Sequence, residues 1–164
     1  MVPDGQTTTV DTFGDADLTA LYSYWASKCG NRAMPSRADI NPAEIPSLLP
    51  DVFIMEIHDP LRFRFRLVGT MICQRWNQNH TGKWLDELNF DVDPGTVLEQ
   101  YATVALTGVP RSDLKEFVDH NSRYLHYRRL LLPLSEDGVS PNMLLGGQKA
   151  IGIDGFKLSV PNWI

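Results

Sequence analysis

The sequence predicts an α+β fold: a five-stranded antiparallel sheet with short helices on one face, preceded by one amphipathic helix. Three observations lead there. Two strand-like runs, 52–58 and 62–68, are separated only by Asp59-Pro60-Leu61, a connection short enough to require a hairpin. Three more such runs, 111–118, 124–132 and 142–150, are punctuated by Asp119-His120-Asn121-Ser122 and Ser135-Glu136-Asp137-Gly138, both rich in turn formers. Between the second and third strands the pattern is helical but broken, so those helices must cover a face of the sheet.

Taken in order, residues 1–14 read as a flexible, polar, Thr-rich lead-in, and 15–150 as a single domain. Asp15 or Asp17 can cap a helix in which Leu18, Leu21, Tyr22, Trp25 and Cys29 fall on one stripe, and Gly30 is a natural stop. Such a helix needs a surface to lie on. Leu18, Leu21, Tyr22 and Trp25 are therefore the candidate dimer or partner residues, either covering the sheet's outer face or pairing with a second copy.

The stretch 34–50 holds four prolines, which forbid a long helix. Within it Asn41-Pro42-Ala43-Glu44 has a cap, a proline in the first turn and a carboxylate, so short helical turns are expected. The second strand alternates: Arg62, Arg64 and Arg66 point one way, Phe63, Phe65 and Leu67 the other. After Gly69, residues 71–77 can form two turns, 77–82 are polar, and 84–88 give another short turn. Asp93-Pro94 starts a stronger helix with Val97, Tyr101, Val104 and Ala105 on one side, stopped by Gly108. Residues 151–164 are read as a tail ending in Trp163-Ile164.

Composition narrows the function. Hydrophobic residues make up 43% of 164 and charged residues 21%, which suits a globular domain. Fifteen Lys and Arg against twenty Asp and Glu leave a net charge of −5, so a phosphate-binding nucleic-acid role is not expected. No apolar run approaches the roughly 18 residues of a membrane span, and no secretory leader is evident, so no membrane association and a cytoplasmic location are expected. Cys29 and Cys73 lie far apart and outside any CxxC pair, suggesting neither a disulfide framework nor a zinc knuckle.

Catalytic motifs are missing too. There is no GxxxxGK[ST], GxGxxG or HExxH, and Gly146-Gly147 inside a strand reads as a bulge or a close contact. His120 and Ser122 fall in a turn explained by turn chemistry, and His126 falls on a strand. No catalytic residue and no metal ligand is nominated. Of Arg128 and Arg129, alternation must send one inward, and a buried arginine requires an anionic partner from the protein or from a ligand.

The segments "LYSYW", "MPSRADINPAEIPSLLP", "RFRFRLVGT", "HTGKWLDEL", "YRRLLLPLSEDG" and "MLLGG" occur in an order that resembles the PAS sensor domain. More narrowly, the chain resembles a family of small, mostly single-domain bacterial PAS-like proteins. The resemblance implies a sheet that cups the short helices around a small-molecule pocket. Phe63, Phe65, Trp76, Trp84, Tyr101 and Tyr127 are its candidate walls, and His80 and Arg129 its candidate polar contacts.

The expected function is a non-catalytic sensory or regulatory module that binds a small organic ligand and signals through a homodimer or a protein partner. The ligand's identity is left open. Haem and flavin are not expected, because no haem histidine signature matches and Cys73 lacks the motif of covalent flavin chemistry. Two alternatives stand beside it: an interaction module with no ligand, and a small enzyme on a cone-shaped α+β scaffold.

Overall fold

The computed structural model describes residues 13–88, 94–118 and 124–152. Helix α1 (Ala16–Cys29) starts where the Asp15 carboxylate accepts the Asp17 and Leu18 amides at 2.8 and 3.0 Å. It ends at Gly30, whose φ of 59° suits glycine. Leu18, Leu21, Tyr22 and Trp25 are all buried against the sheet of their own chain, among Val52, Ile54, Leu130, Leu132 and Leu145. The Trp25 indole donates to the Pro133 carbonyl at 2.8 Å, so its one polar atom is satisfied there. Of the two surfaces open to this stripe, the sheet takes it, and none of the four residues is left exposed for a second copy.

The proline-rich stretch forms three single turns, Arg37–Asp39, Pro42–Glu44 and Leu49–Asp51. It delivers the chain to β1 (Val52–His58) and β2 (Arg62–Val68), followed by α2 (Thr70–Trp76), a turn at Leu85–Glu87 and α3 (Pro94–Thr107). Strands β3 (Arg111–Val118), β4 (Tyr124–Leu134) and β5 (Met143–Gly152) complete the sheet. The order is β2-β1-β5-β4-β3, with every neighbouring pair antiparallel. The last strand thus sits at the centre.

Strand β4 runs past the expected Leu132, through Pro133, because Pro133 and Leu134 still oppose Leu144 and Met143. Strand β5 continues two residues into the expected tail. At the other end Phe13, expected in the lead-in, is buried with its ring 5.4 Å from that of Tyr22. The rest of the lead-in (1–12), the Asp93 start signal, the Asp119–Ser122 turn with His120, and the tail from 153 to Trp163-Ile164 lie outside the described residues.

Alternation gives the sheet two covered faces. Val52 and Ile54 of β1 join the α1 side, while Phe53 and Met55 join Phe63, Phe65, Ile72, Leu85, Val97, Tyr101, Val104, Leu131 and Leu144 beneath α2 and α3. Gly146 and Gly147 make the expected close contacts, one on each face. A methyl group on Gly146 would fall 2.0 Å from Phe53, and one on Gly147 2.8 Å from Leu18 and Leu21.

One expectation fails here. Leu67 does not share the inward face of Phe63 and Phe65. The β1–β2 register shifts at Ile54/Met55, so Leu67 opposes Ile54 while Phe65 opposes Met55. The extra residue, Arg66, makes a bulge that turns Leu67 to the opposite face, 42% exposed.

Candidate functional site

The inner face gathers most of the expected pocket walls. Phe65 meets Trp76 edge-on with centroids 6.0 Å apart, and His80 lies 4.9 Å from Trp76 and 6.1 Å from Phe65. Phe63 and Phe53 pack around Tyr101 at 5.6 and 6.4 Å, and Trp76 also packs against the fully buried Tyr127. The polar run after α2 makes this possible. Asn77 caps the helix in the left-handed conformation (φ 53°), and Gly82 then donates to the Phe65 carbonyl at 2.7 Å. Phe65 in turn donates to the Lys83 carbonyl at 2.9 Å, which pins the segment carrying His80 along the free edge of β2.

His80 is 4% exposed. Burial first, and the Lys83 charge second, push its pKa from 6.5 down to about 4, so the imidazole is neutral near pH 7. Trp84 departs from the expected set. It pairs with Arg64 across the edge of β2 and therefore faces the arginine side, with the Arg62 guanidinium 4.1 Å above its ring and His58 at 5.1 Å. Its neighbour Leu85 takes the inner position. The arginine stripe itself is largely paired, Arg62 with Asp86 and Arg66 with Glu56.

Arg129 is the arginine that turns inward, at 2% exposure, next to Leu131. Its guanidinium donates to the Gln100 side-chain oxygen and lies 4.7 Å above the Tyr101 ring. Asp113 and Gln148 flank it in register on the neighbouring strands. His126 stays apart, half-buried, with its ring 3.5 Å from Glu116. Cys29 and Cys73 are free thiols whose pKa values burial raises, the opposite of an activated nucleophile. Among the described residues no group of three or more His, Cys, Asp or Glu could hold a metal ion.

A second buried arginine was not singled out from the sequence. Arg75 donates to the Gln148 side chain at 2.8 Å and to Asp51 at 3.0 Å. Burial lowers its pKa and the Asp51 carboxylate opposes that shift. Asp51 also accepts from Lys149 at 3.2 Å, and Lys149 reaches Asp17 in the first turn of α1 at 2.9 Å. The signals for this set were present as spacing. Arg75 follows buried Ile72 by three, Gln100 falls between Val97 and Val104 at helical spacing, and Gln148 alternates with Leu144 and Gly146.

The sequence matches a family model described as PAS domain over residues 15–148. No curated protein matches the chain. Several solved structures share its fold. The PAS domain of BvgS from Bordetella pertussis is 18% identical, with a TM-score of 0.54 over 68% of this chain and 84% of that one. A LOV domain from a blue-light activated histidine kinase of Erythrobacter litoralis is 18% identical, with a TM-score of 0.50 over 63% of this chain and 96% of that one. The LOV protein of Rhodobacter sphaeroides is 10% identical, with a TM-score of 0.54 over 71% of each chain. Among the described residues no helix is long and apolar enough to cross a membrane.

Proposed function

This chain belongs to the PAS domain family, and on that premise we propose that it is a sensory module, without catalysis of its own, that takes a small organic molecule between the inner sheet face and α2 and α3. The observation that carries this reading is the composition of that face. Aromatic side chains from β2, α2 and α3 meet a few buried polar groups, Arg129, Gln100 and neutral His80. Apolar walls with a few oriented polar groups are what a ligand chamber requires, and a buried guanidinium suits a guest with an anionic or strongly accepting end. Ligand binding would favour one arrangement of helices over another, and a homodimer or a signalling protein would read that shift.

Native mass spectrometry of freshly purified full-length chain tests it. The expected result is a retained organic molecule, released on denaturation and lost in a folded Arg129→Met variant. The same spectrum reports whether two copies associate. One observation favours the ligand-free alternative: Phe65 and Trp76 touch directly, so that corner is filled by the protein itself. A bare mass, with no melting shift from a panel of small carboxylates, would select that interaction-module reading.

A further inference from the structure

We propose that the opposite face of the sheet carries a second binding site, for a free amphipathic carboxylate with an alkyl body. A groove of about 330 Å³ lies between the proline-rich turns and the outer side of β1, β2 and β5. Ile45, Leu49, Ile54, Leu67 and Leu145 are among its apolar walls, and Arg37 is its charged wall. The volume lies at the small end of ligand-pocket sizes, which run from about 300 to 1,000 Å³.

Two independent features point to an occupant. The first is Leu67, which the bulge in β2 turns out of the inner core and into this groove, leaving it 42% exposed. A leucine so placed gains little by itself and gains more when an apolar body covers it. The second is Arg37. One of its terminal nitrogens donates to the Ile40 carbonyl at 3.0 Å, which holds the half-buried group at the groove wall, and no other hydrogen bond to a described residue uses the guanidinium. No carboxylate among the described residues pairs with it. Its sequence neighbour Asp39 is engaged by Ser36 and by Arg32 at 2.9 Å. A guanidinium with donors to spare at the side of a greasy groove matches a carboxylate head on an alkyl chain. The site faces away from Phe65, Trp76 and Arg129, so it stands whether or not a guest enters beneath α2 and α3.

Isothermal titration of the full chain with decanoate, kept below its micelle range, tests the proposal, with decanol as the neutral probe. Decanoate is expected to bind. Arg37→Met should weaken it by about tenfold or more, the loss expected for a charge-assisted hydrogen bond, while leaving decanol binding unchanged. Leu67→Glu, at an exposed position that tolerates the change, should likewise repel decanoate and serves if Arg37→Met fails to fold. Absence of binding, or equal decanoate affinity in both folded variants, overturns the proposal. So does loss of decanoate binding in Phe65→Leu instead, which would move the carboxylate to the inner face. Decanoate-independent self-association that Leu67→Glu abolishes would show a second copy to be the occupant, and also overturns it.

Discussion

His80 shows how burial sets the chemistry of a single side chain. Its folded pKa of about 4 lies below the ordinary 6.5, so between these values the unfolded chain binds a proton that the folded chain refuses. Stability is therefore complete above about pH 6.5 and is lost as pH falls toward 4. Between about pH 7 and pH 5 the loss should be on the order of 2 kcal/mol. Carboxylates held low by their partners, such as Asp39 and Asp137 (the latter at about 2), lose their contribution only when pH falls below the ordinary carboxylate range. Urea midpoints at the two pH values should differ by more for the native chain than for His80→Gln. A difference undiminished by the substitution would place the titrating group elsewhere.

At the scale of elements, the two glycines of β5 decide how closely each layer approaches the sheet. Gly146 lies beneath the Phe53 ring, and Gly147 beneath the ends of Leu18 and Leu21. These neighbours differ in how easily they yield. The Phe53 ring is wedged among Phe65 and Tyr101, whereas a leucine methyl can rotate aside. Gly146→Ala should thus cost about 1–3 kcal/mol as overpacking, and Gly147→Ala less. Thermal melts of the two variants rank them, and a larger loss at Gly147 would show that α1 is the more rigid layer. The β2 bulge works at the same scale, since one extra residue sends Leu67 to the outer groove while Phe65 stays within.

At the scale of the whole molecule, Arg75, Asp51, Lys149 and Asp17 form a chain of contacts from α2 on the inner side, past the start of β1 and along β5, to α1 on the outer side. Its links differ in strength because they differ in burial. Asp51→Asn leaves Arg75 buried beside a neutral amide and should destabilise the domain by about 3–5 kcal/mol. Asp17→Asn removes an exposed partner and should cost no more than about 1 kcal/mol. Denaturant unfolding of both variants checks the contrast. Equal losses would mean that the two ends of the chain share one dielectric environment.

Local patterns were legible wherever a period of two or of 3.6 met a capping or turn residue. The α1 stripe, the β1–β2 hairpin, the α3 stripe and the inward arginine among Arg128 and Arg129 all follow from such patterns. The family resemblance added the cupped sheet, and the PAS family match agrees with it. Tertiary structure alone decided three things. Insertion of β5 between β1 and β4 depends on pairing across some ninety residues, for which no local pattern exists. The face taken by Leu67 and by Trp84 depends on a bulge and an edge bridge, which alternation cannot foresee. The partners of Arg75, and the lack of a carboxylate partner for Arg37 among the described residues, depend on which carboxylates the fold brings near, because electrostatics is fixed by distance through space and burial rather than by position along the chain.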